Sequence, residues 1–171
     1  MTFGIADRRI FRLGIVVVVA IIVADQISKA ILMSILEQHP FGIPVLPVFS
    51  LVERWNPGVS FSMLRFLPPE ALSAFAILVS AGLIYWLSRV ENRLIAIGIG
   101  FVAGGALGNV IDRLRFEKVF DFLDFYIRTG SGWEWHWPAF NLADSSIFIG
   151  VVLLLIDGLF HRVDRAKTEH S

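Results

Sequence analysis

The chain has 171 residues, 56% of them hydrophobic and 18% charged, and its 15 basic and 15 acidic residues leave no formal net charge. That balance is too apolar for a soluble domain to keep its core covered, and it places the chain among membrane proteins. The absence of cysteine excludes disulfides, thiolate nucleophiles and cysteine-held metal clusters, and the absence of a basic run leaves no footprint for nucleic acid.

Four apolar segments follow in chain order, judged by the rule that about 20 helical residues span the hydrocarbon core. The first runs from about Leu13, through GIVVVVAIIVA, past Asp25 and Lys29 to about Leu36, with Arg8, Arg9 and Arg12 before it. The opening DRRIFRL resembles a twin-arginine export signal, but no small-x-small cleavage site precedes Asp25 and further apolar segments follow, which favours a permanent first helix. Residues 40–67 mix prolines with β-branched and aromatic residues in short alternating runs. Short strands and turns are expected there, within an outer loop of about 37–70, at or above the interface because unpaired strand edges are excluded from hydrocarbon.

Helices are expected next at about 71–87 and 94–111, joined by a tight turn bearing Arg89 and Arg93. Gly100, Gly104 and Gly108 in the third segment are spaced by four, which lets helix backbones approach closely in a membrane. A second outer loop, about 112–142, is rich in Phe, Tyr and Trp, and is expected to graze the headgroup level. The last helix is expected at about 143–160, followed by Arg162, Arg165 and Lys167. The density of arginine and lysine near the helix ends puts both termini in the cytoplasm. The expectation is an all-α integral membrane protein, one polytopic domain over 1–171, with four transmembrane helices, a small strand-rich extracytoplasmic element and an interfacial aromatic loop.

Several polar residues stand out against this background. Asp25 and Lys29 lie one helical turn apart and can pair, as a structural ion pair or a substrate contact. In GNVIDR, Asn109 and Asp112 share a helical face, and Arg113 at its end has the geometry to clamp a carboxylate through two parallel hydrogen bonds. Asn56 and Gly58 in WNPGVSF suit a turn. In FNLADS, Asn141 or Asp144 is placed to cap the fourth helix near the positive end of its dipole. Asp121 sits in VFDFLDFY among phenylalanines, where an unpaired carboxylate tends to take up a proton. If folding joins Asp121 to Asp144, the two can share one proton, one withdrawing a proton from water while the other polarises a carbonyl. His39, His136, His161 and His170 lack metal-ligand spacing, and GxSxG and HExxH are absent, so no metal or cofactor is expected.

Five boxes in order, DQISK at 25–29, NPGVSF at 56–61, GGALGNVIDR at 104–113, VFDF at 119–122 and FNLADS at 140–145, resemble the lipoprotein signal peptidases, also called signal peptidase II. The resemblance covers nearly the whole chain. It implies an aspartic endopeptidase of the bacterial inner membrane that cleaves diacylglyceryl-modified prolipoproteins just before the lipidated cysteine. By the same match, Asp121 and Asp144 are the catalytic pair, with Asp124 outside the box, while Asp25, Lys29, Asn56, Gly58, Asn109, Asp112, Arg113 and Asn141 support or line the site. Its implied partners are the lipidated precursors and membrane lipid, with the enzyme a monomer and its site near the outer leaflet; because a long substrate must enter sideways, one outer loop is expected to move as a lid. Ser28, where threonine is frequent, and Pro57 are looser matches. The rivals are an ion-coupled transporter, which would want acids near mid-membrane and repeated halves, and a non-catalytic assembly protein working through the glycine-rich helix.

Overall fold

A computed structural model describes residues 5–58, 68–130 and 133–168. The helices are α1 (Arg8–Leu36), α2 (Pro69–Leu87), α3 (Arg93–Phe116) and α4 (Leu142–Thr168). Among the described residues, each has a stretch long and apolar enough to cross a membrane. Helix α1 begins before Leu13 because the Asp7 carboxylate accepts from Arg9 N at 2.7 Å and Ile10 N at 3.1 Å, satisfying donors of the first turn. Helix α3 continues past Ile111 to Phe116, where Arg113 and Arg115 complement the negative end of the dipole. Glu117 then turns the chain with a left-handed φ of 59°, and its N–H bonds to Arg113 O at 2.9 Å.

Helix α3 packs against each of the other three. Its glycines make that possible on opposite sides. A Cβ on Gly100 would stand 2.7 Å from Val17 of α1, while one on Gly98 would stand 3.0 Å from Leu154 of α4. Without side chains at these points the backbones close together, as the spacing of the third segment suggested.

The strands β1 (Ile43–Leu46), β2 (Phe49–Asn56), β3 (Val119–Arg128) and β4 (Glu134–His136) form one antiparallel sheet in the order β1-β2-β3-β4. This corrects the expectation of an aromatic loop over 112–142. That segment instead holds the end of α3 and half the strands of the sheet, so the strand-rich element is drawn from both outer segments. The expected turns and strands at 59–67 lie outside the described residues. The buried side of β3 carries Phe120 and Phe122, which pack with Leu36 at the end of α1. This apolar contact and the α3–α4 packing fix where β3 and the start of α4 sit.

Candidate active site

Helices α1 and α3 meet at a buried ion-pair cluster. Lys29 Nζ lies 2.8 Å from Asp25 Oδ2 and 2.8 Å from Asp112 Oδ2, and all three side chains are at most 1% exposed. One lysine between two carboxylates offsets part of the cost of burying them. Each acid also reaches a neighbouring element. Asp25 Oδ1 accepts from Ala143 N, in the first turn of α4, at 3.0 Å. Asp112 Oδ2 accepts from Phe120 N of β3 at 3.1 Å. The cluster thus grips the backbone one residue before Asp144 and one residue before Asp121.

Gln26, which sequence reasoning passed over, completes it. Its Nε2 donates to Asp112 Oδ1 at 2.9 Å, Gly108 O at 3.2 Å and Asp25 Oδ2 at 3.2 Å. The available signal was its place inside DQISK, between two residues already singled out.

Asn141 and Asp144 form a reciprocal cap at the start of α4. Asp144 N donates to Asn141 Oδ1 at 3.0 Å, and Asn141 N donates to Asp144 Oδ2 at 3.2 Å. The Asn141 amide also donates to Asp121 Oδ1 at 2.7 Å and to Asn109 Oδ1 at 3.1 Å. Asn109 accepts from Lys29 Nζ at 3.1 Å and donates to Asp144 Oδ1 at 2.8 Å. Its carbonyl being taken by Lys29 and Asn141, only the amide nitrogen is left to face Asp144. On the far side, Asn56 at the end of β2 donates to Asp121 Oδ2 at 3.1 Å, while its own Oδ1 accepts from Gly58 N at 3.1 Å.

The two acids differ in setting. Asp121 is 2% exposed, and burial, with the charge of Asp144 adding to it, pushes its carboxyl up from 3.8 to about 7. Asp144 is half-buried at the positive end of α4. Both open on a cavity of about 840 Å³, which Asn56, Asn109, Arg113 and Phe140 also line. Its wall continues along Ile147, Phe148 and Val151 of α4, an apolar face of a membrane-spanning helix.

Arg113 does not make the expected two-pronged clamp. Its Nη1 donates to Asn109 O at 3.4 Å, and its buried Nε has no hydrogen-bond partner. Asp112, its neighbour in sequence, is already engaged by Lys29, Gln26 and Phe120 N. Asp124 lies three residues from Asp121 on the same strand, so it points to the opposite face. It pairs with His136 instead, and both are absent from the cavity lining. Among the described residues, no group of three or more histidine, aspartate or glutamate residues is placed to hold a metal ion.

Residues 17–160 match the family model described as signal peptidase (SPase) II. The chain belongs to that family. It is therefore an aspartic-type signal peptidase, a multi-pass enzyme of the bacterial inner membrane. A lipoprotein signal peptidase from Nitrobacter hamburgensis is 38% identical over 161 residues, covering 91% of this chain and 96% of the relative. Another, from Aeromonas hydrophila, is 44% identical over 144 residues, covering 80% and 81%. A solved structure titled as a bacterial membrane enzyme, determined by the in meso method at 2.3 Å resolution, superposes with a TM-score of 0.75 at 27% identity, covering 88% of this chain and 90% of its own.

Proposed function

We propose that Asp121 and Asp144 are the catalytic pair of this signal peptidase, and that its substrates are prolipoproteins already bearing a diacylglyceryl group on the cysteine after the scissile bond. One observation carries the reading: carboxyls from β3 and α4 open on the same cavity, both held by Asn141, whose side-chain amide donates to Asp121 and whose backbone N–H donates to Asp144. Asp121, whose carboxyl is lifted to about 7, holds the proton and donates it toward the scissile carbonyl. Asp144, with Asn109 and the Asn141 backbone donating to its two oxygens, takes a proton from the attacking water. As the tetrahedral intermediate breaks down, the proton on Asp144 passes to the leaving amide nitrogen and Asp121 recovers its own. Atoms balance with water as the only co-reactant, and the new carboxylate stays on the signal peptide.

The supporting residues fall into two groups. Asn56, Asn109 and Asn141 orient the carboxyls, with Gly58 giving a backbone donor to hold the Asn56 amide in its working orientation. Asp25, Lys29 and Asp112 lock the elements that carry them. Arg113, which lines the cavity wall, is available to substrate. The apolar wall along α4 suits acyl chains that never leave the bilayer. Trp133, Trp135 and Trp137, all exposed, sit at the headgroup level, with the site facing the outer leaflet, both termini cytoplasmic and one chain sufficing as the enzyme. The test is cleavage by purified protein of the same precursor with and without its diacylglyceryl group. Cleavage confined to the lipidated form is expected; equal cleavage of both, or of neither, would overturn the substrate assignment.

A further inference from the structure

The second acid of VFDFLDFY, Asp124, takes no part in the chemistry above, yet it is 5% exposed and hydrogen-bonded to His136. Both its oxygens accept from His136 Nδ1, at 3.0 and 2.8 Å. The imidazole stacks on Tyr126 with ring centroids 5.2 Å apart, and its Nε2 lies 3.4 Å from Glu134 Oε2. Glu134 in turn pairs with Arg128 at 2.6 Å. His136 is thereby held by the acid of one strand, the acid of the next and an aromatic face.

What His136 anchors is the more informative point. It is the last residue of β4, which has only three residues and pairs with β3 alone, a length that is marginal without side-chain support. Directly after it the chain runs back along β3. Trp137 N donates to Phe125 O at 2.8 Å, and Phe140 N donates to Leu123 O at 3.1 Å. Trp137, Pro138, Ala139 and Phe140 all line the cavity, and the next residue is Asn141, which touches both acids of the pair. Pro138 has no N–H to give the strand. The wall is therefore a short strap pinned at each end, and the Asp124–His136 contact is the side-chain pin at its entry.

We infer that Asp124 and His136 are positioning residues, a clasp that holds residues 137–140 as the wall against which the substrate segment beside the scissile bond is laid. The segment such a wall would take is apolar, since Trp, Pro, Ala and Phe face it. This inference rests on the cavity being the substrate site. The clasp acts on binding geometry and not on the proton transfers, because neither side chain reaches the cavity.

The experiment is steady-state cleavage of a lipidated prolipoprotein by purified His136→Ala, Asp124→Ala and the double variant, alongside wild type and Asp121→Asn. KM is expected to rise about tenfold in each single variant, with kcat within about twofold and the melting temperature little changed. Because both act through one contact, the double variant should match the singles. His136→Asn places an amide N–H close to where Nδ1 donates to Asp124 and should recover most of the loss. An unchanged KM in both singles would overturn the inference, as would single effects that multiply in the double variant. So would kcat, KM and melting temperature deteriorating together without rescue by Asn, the mark of a purely structural contact. Wild-type cleavage and an inactive Asp121→Asn in the same series separate failure of the clasp from failure of the catalytic assignment.

Discussion

Replacing Asp121 with Asn should change stability by an amount whose sign depends on pH. Burial, and then the charge of Asp144, raise the Asp121 carboxyl from 3.8 to about 7. Below about pH 4 it is protonated in the folded and unfolded chain alike, and no pH-dependent penalty applies. Between about pH 4 and 7 the unfolded chain loses this proton while the folded chain keeps it, so stability falls as pH rises. Above about pH 7 both forms are ionised and the penalty is complete. A shift of about three units at about 1.4 kcal/mol each gives about 4 kcal/mol in full.

Asn carries no such slope, but it has a cost of its own. The amides of Asn56 and Asn141 donate to the two oxygens of Asp121, and one of them would face an NH2 group, at about 1–3 kcal/mol. The variant should therefore melt below wild type near about pH 4 and at or above it near about pH 8.5. Thermal unfolding in detergent or nanodiscs, followed across that range, reads the difference directly. A difference that stays constant, or that moves the other way with pH, would refute the placement of a proton on Asp121.

Other consequences are testable together. Lys29→Met strands Asp25 and Asp112 without their cation and should cost about 3–5 kcal/mol in thermal or denaturant unfolding, whereas Arg128→Met, breaking an exposed pair, should leave the unfolding midpoint nearly unchanged. In Gly105→Ala the new methyl runs into Ala143 O and comes within 2.9 Å of Ile147. That overpacking, worth about 1–3 kcal/mol, displaces the turn carrying Asp144, so a cleavage assay should show a much larger loss than for Gly82→Ala, which meets nothing within 4 Å. The rate should fall as pH rises through about 7, where Asp121 loses the proton it donates, and a kcat/KM profile flat from about pH 6 to 8 would contradict that.

Much of the fold was legible because crossing a bilayer imposes a length and a composition that four segments plainly meet. Helix ends were less so. Arg113 and Arg115 read as the start of a loop, yet a helix C-terminus favours cations and α3 runs on through them. Strand β3 was missed because Val119 to Phe122 are buried in succession, which hides the alternation that marks a half-buried strand. In the site, the contact of Asn141 with both Asp121 and Asp144 depends on how β3 meets α4, which spacing in the sequence does not fix, and the unpartnered Nε of Arg113 is likewise a product of the fold. The Asp124–His136 pair was out of reach for a different reason. Its partners come together only through the β3–β4 hairpin, and that segment read as an interfacial loop.

The most direct measurement is single-turnover cleavage of a lipidated prolipoprotein by Asp121→Asn, Asp144→Asn and the double variant, each first shown to be folded. The account predicts that each single change lowers the rate by at least about 10²-fold and that the double variant is scarcely worse, because the carboxyls act as a unit. Cleavage near the wild-type rate by either single variant would contradict it.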